Sequence, residues 1–244
     1  MPPSLLLAKV VALVVAMNAE YTSYISPTPA PGKEDVQGYN GGDFMSRAST
    51  AISHLSLAFP WVLSGCELAA ILALLLPLAS SKAILSALFP RAADPMSAAR
   101  QLSVRPIFLL GMSLLCCGAI LRKTCYRTLG RHFTFKLTIL KEHELVTWGP
   151  YAIVRHPSYT SIIVATAGVF VMGLSPGSWL AESGIIDTFP GRTMVSAWLV
   201  WYTFMIFGFL RRTRIEDAVL REKFGAQWDE WARKVPYLLV PYVW

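Results

Sequence analysis

GPYAIVRHPSYTS, Gly149 to Ser161, is the stretch on which the reading of this chain turns. A Gly-Pro turn leads through two tyrosines and an Arg-His-Pro into an apolar run that continues to about Leu174. Proline is tolerated at the first position of a helix, where its missing N–H would have no partner anyway. Pro157 therefore marks a helix start, and His156 is its cap-side residue. The N–H groups behind the His156 ring are expected to face whatever sits above the helix, and helix N-termini favour anions. The plain alternative is that His156 only caps the helix while Arg155 snorkels to lipid headgroups.

The rest of the chain supports a membrane reading. Of 244 residues, 54% are hydrophobic and 15% charged, where an ordinary soluble domain carries about 25% charge. Apolar windows near the roughly 20 residues needed to cross a bilayer occur at about Leu5–Tyr24, Ile52–Ala79, Pro106–Leu121, Tyr159–Leu174 and Met194–Leu210. The first is interrupted by Lys9, Asn18 and Glu20, and a signal peptide is the competing reading, although it lacks a basic start. Pro60 and Pro77 are expected to kink or trim the second. Residues 26–48 read as a polar Pro- and Gly-rich loop, and residues 80–104 as mixed interfacial sequence. The expected fold is all-α, a polytopic membrane protein of about five spans; a sixth arises if residues 52–104 cross once more.

Charge placement orients the spans. Of 22 Lys and Arg, seven lie between Arg122 and Arg155 and seven from Arg211 onward. These segments are expected on one side, the cytoplasmic one, with the N-terminus outside. Spans four and five then form a hairpin whose open ends share that basic side. Nucleic-acid binding, the other reading of a basic chain, is disfavoured because the charges flank spans and form no basic domain. Cys66, Cys116, Cys117 and Cys125 make no CxxC pair, and no metal site is expected. The tail from Arg211 reads as an amphipathic helix with Val219, Leu220, Phe224, Trp228 and Trp231 on one face. Gly225 is expected to interrupt it mildly and Pro236 to end it.

Two polar segments lie on the basic side. One runs from Lys136 to Tyr159 and the other from Arg211 to Gly225. Arg212 and Glu216 are one turn apart on one helix face. They read either as a surface ion pair contributing about 0–1 kcal/mol or, because charges leaving a span are costly, as functional groups. Trp148, Tyr151 and Tyr159 read either as interfacial anchors or as rings around a bound cation. Walker, GxGxxG and HExxH patterns are absent from the sequence, which argues against nucleotide-binding and zinc-peptidase chemistry.

The block HELVTWGPYAIVRHPSY, followed after an apolar hairpin by RxxxED, LxxxFGxxWxxW and VP, resembles the isoprenylcysteine carboxyl methyltransferase family. The resemblance covers roughly residues 105–244 and implies a catalytic core there, with residues 1–104 contributing N-terminal helices and loops. RHPSY is shared with phospholipid methyltransferases and, more distantly, with sterol reductases. The resemblance implies S-adenosylmethionine as cofactor and methyl esterification of prenylated protein C-termini or small prenylcysteines, at the cytosolic face of the endoplasmic reticulum membrane. It assigns the cofactor to His143, Glu144, Leu145, Val146, Tyr151, His156, Pro157, Ser158, Tyr159 and Glu216, and the substrate carboxylate to Arg212 as the catalytic residue. Lys136 joins the cofactor set by position, but stands where glutamine is common. Glu216-Asp217 replaces the usual Glu-Glu pair. The alternatives are a methyltransferase of the same fold acting on a phospholipid amine or a small isoprenoid acid, and a non-catalytic membrane scaffold.

Overall fold

The computed structural model describes residues 2–28, 36–40, 44–76, 79–135, 138–141 and 143–243, with backbone alone for 36–40 and 138–140. Five apolar helices dominate: α1 (Pro3–Tyr24), α2 (Ser49–Leu75), α3 (Pro106–Leu129), α4 (Pro157–Gly173) and α5 (Phe189–Phe224). A short α6 (Ala226–Lys234) follows. Four of the five are long and apolar enough to cross a membrane, and α4, with 17 residues, is the shorter fifth. The chain is a multi-pass membrane protein. Residues 80–104 hold only the short helices Ser81–Leu88 and Pro95–Ala99, so no sixth apolar helix occurs among the described residues.

Two expectations are corrected. The fifth span and the tail helix are one 36-residue helix, and Gly225, at φ 51° and ψ −122°, ends it outright. Thirty-six residues extend roughly 54 Å at 1.5 Å each, beyond the roughly 30 Å hydrocarbon layer, so its polar second half must leave the membrane. The loop at residues 26–48 also contains a strand, β1 (Val36–Asn40), paired antiparallel with β2 (Thr138–Leu140). β2 carries Thr138 and Ile139, β-branched residues that suit a strand, but five and three residues give no longer alternation to read.

Pro60 lies inside α2. Proline removes the hydrogen bond to the carbonyl four residues earlier, here that of Ser56. Tyr202 repairs the loss, its hydroxyl donating to the Ser56 carbonyl at 2.6 Å. Lys9, which weakened the sequence reading of the first span, is buried beside Glu67 and is no obstacle.

The chain divides into two compact units. The first comprises Met1–Tyr21, Ser56–Cys117 and Val164–Tyr202. In it α3 and α4 cross backbone to backbone. A Cβ on Gly168 would lie 2.4 Å from the Leu115 nitrogen, and one on Gly111 2.5 Å from the Met172 nitrogen. Small residues permit such approaches between membrane helices. The second unit comprises Thr22–Leu55, Gly118–Ile163 and Thr203–Trp244. Its core gathers Cys125, Leu145, Val146, Tyr151, Trp228, Trp231 and Val235.

Candidate functional site

Both polar segments belong to the second unit, and the fold joins them. His156 caps α4 with its side chain 4% exposed. Its Nε2 lies 3.0 Å from Asp217 Oδ1, and its Nδ1 3.5 Å from Glu216 Oε2. Tyr159, one turn into α4, donates its hydroxyl to Glu216 Oε2 at 3.0 Å. The Tyr159 ring stacks between His156, at a centroid distance of 5.8 Å, and Phe209, at 5.3 Å. Arg155 Nε lies 3.3 Å from Asp217 Oδ2. Two cations thus face two carboxylates, and Glu216, 31% exposed, remains open to a ligand.

The two histidines of this region are tuned in opposite directions. Burial alone would lower the His156 pKa, but hydrogen bonds to the Asp217 and Glu216 carboxylates override it and raise the value to about 9. His143 is lowered to about 4, first by burial and then by His132 and Lys223. At neutral pH His156 is a cation locked to its two acids, and His143 is an uncharged ring.

The N-terminus of α4 is not open in the way the sequence suggested. The Arg155 and His156 N–H groups donate to the Tyr237 and Leu238 carbonyls, each at 2.9 Å, and Thr160 Oγ1 donates to the Leu239 carbonyl at 2.7 Å. The tail helix ends before Pro236, and the irregular chain that follows brings its carbonyls to donors that would otherwise be orphaned. The site is therefore built from side chains.

The other assigned residues are distributed as follows. Pro157 is buried as the first residue of α4. Ser158 offers its carbonyl to Arg122 at 2.9 Å, and its hydroxyl also accepts from Arg122. Leu145, Val146 and Tyr151 lie in the hydrophobic core, where the Tyr151 carbonyl accepts the Trp231 indole N–H at 3.1 Å. Burial holds the Tyr151 phenol well above its ordinary pKa, so it stays un-ionised. Glu144 is exposed. His143 packs beside His132 and Phe224, at 5.0 and 6.0 Å between ring centroids. Arg212 is buried and donates to the Phe135 carbonyl at 2.6 Å and to Ser46 Oγ at 3.2 Å. Lys136 lies outside the described residues.

Sequence reasoning missed Asp217 as a partner of His156, and missed Arg122 altogether. Arg122 Nε donates to the Tyr126 hydroxyl at 2.8 Å, and its guanidinium sits 5.2 Å from the Tyr126 and Phe135 ring centroids. The only advance signal was an Arg and a Tyr four residues apart at the end of an apolar run.

Buried polar atoms here that lack a hydrogen-bond partner among the described residues include His143 Nδ1 and Trp228 Nε1. A methyl donor that carries an amino-acid end and a heterocycle offers groups for such atoms, and Glu216 suits its ammonium or sulfonium charge. The residues present therefore fit a donor of that class.

Residues 109–178 match the profile of the isoprenylcysteine carboxyl methyltransferase family. Protein-S-isoprenylcysteine O-methyltransferase B of Arabidopsis thaliana is 34% identical over 128 residues, 52% of this chain and 55% of that protein. A probable protein-S-isoprenylcysteine O-methyltransferase of Oryza sativa subsp. indica is 31% identical over 128 residues, 52% of this chain and 57% of that protein. Protein-S-isoprenylcysteine O-methyltransferase of Tribolium castaneum is 29% identical over 128 residues, 52% of this chain and 39% of that protein. The chain spans about half the length of the plant relatives it matches.

Proposed function

We propose that this chain, which carries the signature of the isoprenylcysteine carboxyl methyltransferase family over residues 109–178, methylates the C-terminal carboxylate of a prenylated cysteine with S-adenosylmethionine as donor. The observation that carries the reading is Glu216, a part-exposed carboxylate fixed by Tyr159 and His156 at the start of an apolar helix.

When bound, the donor supplies an electrophilic methyl on a sulfonium. The acceptor carboxylate is already ionised at neutral pH, since carboxyl pKa values lie near about 3.3–4.3. No residue has to remove a proton, which fits a site whose histidines are a locked cation and an uncharged ring. The task of the protein is to hold, orient and desolvate, which in good cases supplies about 7–11 kcal/mol. Glu216 would hold the cationic part of the donor, with Tyr159 and His156 fixing its rotamer. Neutral His143 would contact the donor without adding positive charge. Arg212, one turn from Glu216, would attract and orient the acceptor carboxylate. It sits too firmly in the fold to follow its substrate, bound as it is to Phe135 and Ser46.

The membrane gives the second half of the reading. A prenyl chain partitions into lipid while the donor is water-soluble, so they meet where an apolar helix begins. The two basic segments support a cytosolic site, and the prenylcysteine chemistry fits the endoplasmic reticulum membrane.

The test is incubation of membranes containing the protein with methyl-labelled S-adenosylmethionine and N-acetyl-S-farnesylcysteine. The expected product releases labelled methanol in alkali, as a methyl ester does. Alkali-stable label on phospholipid, with none on the farnesylcysteine, would assign the site to an amine acceptor. Donor binding without transfer to either would overturn the acceptor assignment, and no donor binding would overturn the enzyme reading.

A further inference from the structure

The first unit contains a polar site that the methylation chemistry does not use. Helix α1 brings Lys9 and Glu20 into the apolar layer, and both are fully buried. Lys9 is satisfied: it pairs with Glu67 and donates to the Gly177 carbonyl at 2.5 Å. Glu67 uses its second oxygen to accept the Trp179 N–H at 2.9 Å. Glu182 is also engaged, accepting the Gly177 N–H at 2.8 Å. The charge of Lys9 is thus matched by Glu67, and no cation pairs with Glu20 among the described residues. Neither Glu20 oxygen has a hydrogen-bond partner among the described residues.

Glu20 lines a cavity together with Ser64, Glu67, Leu13 and Phe108. The cavity offers about 20 Å³ to the centre of a water-sized sphere, above the roughly 10–15 Å³ that one water needs. A lone ionised carboxylate in such surroundings is prohibitively costly, whereas a neutral acid needs only a hydrogen-bond partner. Ionisable groups inside a membrane usually mark a function, and a water there requires two to four polar partners, which the Glu20, Ser64 and Glu67 side chains can furnish.

We propose that Glu20 and this cavity form a binding site within the membrane layer for a small hydrogen-bonding guest. Glu20 is carried as a neutral carboxylic acid, donates its proton to one water molecule, and shares that water with Ser64 and Glu67. The site is independent of the methyltransferase reading and stands or falls separately from it.

Infrared difference spectroscopy of the full-length protein in lipid tests the proposal, comparing the wild type with Glu20→Gln and Glu67→Gln. The expected spectrum shows the carbonyl stretch of a neutral carboxylic acid, lost in Glu20→Gln, kept in Glu67→Gln, and shifted down in deuterium oxide as the shared proton exchanges. Carboxylate bands assigned to Glu20 would overturn it. So would conversion of the acid band to carboxylate on adding sodium, which would make a cation the guest, or a band unmoved by deuterium oxide.

Should Glu20→Gln fail to fold, the wild type alone decides through dicyclohexylcarbodiimide. A protonated carboxyl adds across the carbodiimide C=N bond, oxygen to carbon and proton to nitrogen, and the adduct rearranges to a stable N-acylurea. Mapping that adduct to Glu20 and not to Glu67 is expected. Labelling of Glu67 instead, or of neither, would overturn the proposal.

Discussion

At the scale of single residues the site rests on hydrogen bonds to charged groups. Tyr159→Phe keeps the stacking on His156 and Phe209 but removes the hydroxyl from Glu216. A hydrogen bond to a charged group contributes about 1.5–3 kcal/mol, so the donor KM should rise by about tenfold or more, with kcat little changed. Steady-state kinetics with both substrates checks this. pH dependence follows from the two histidines. His156 is raised from 6.5 to about 9, so between those values the folded state holds more protons than the unfolded one. Its stabilisation is complete below 6.5 and is lost as pH rises through about 9. His143 is lowered from 6.5 to about 4, so the unfolded state binds more protons there, and stability falls as pH drops through that window. Thermal unfolding across pH should give a maximum near 6.5, and the alkaline decline should vanish in His156→Gln. The sequence located His156, Tyr159 and Glu216 because the Pro after His156 dates the helix start and the charges leave a span. It could not show Asp217 taking the second histidine nitrogen, because that pairing needs the rotation of α5 about its axis, which spacing alone does not set.

At the scale of elements, helix ends and crossings determine which residues meet. All five apolar helices were legible, since a span in lipid demands a long, predominantly apolar run even where single polar residues interrupt it. The union of the fifth span with the tail helix was not, because a change from apolar to polar composition resembles a boundary even when the backbone hydrogen bonds continue through it. The covering of the α4 start by Tyr237, Leu238 and Leu239 carbonyls was equally hidden, since an irregular segment paired through its backbone carbonyls leaves no side-chain pattern. The glycine crossing of α3 and α4 yields a sharp expectation. Gly168→Leu meets backbone on the facing helix and should abolish folded protein, as overpacking costs about 1–3 kcal/mol even where side chains can yield. Gly65→Ala meets nothing within 4 Å and should leave yield and melting temperature unchanged or slightly higher. Size-exclusion profiles and melting curves in detergent separate the two.

At the scale of the whole molecule, the proposed orientation puts the two basic segments on the cytosolic side. Cysteines introduced at Glu144 and Glu222 should react with an impermeant thiol reagent from the cytosolic side, and one at Asp187 only from the other. Labelling of Asp187→Cys together with Glu222→Cys from the same side would contradict five crossings. The central claim is that one constellation, built from the α4 start and the emerging half of α5, receives both substrates. Its most direct test is the pair of Michaelis constants for S-adenosylmethionine and N-acetyl-S-farnesylcysteine in the wild type, Glu216→Gln and Arg212→Lys. The expected result is a donor KM raised at least about tenfold in Glu216→Gln alone and an acceptor KM raised similarly in Arg212→Lys alone. Unchanged constants in both variants, or the opposite assignment, would contradict it.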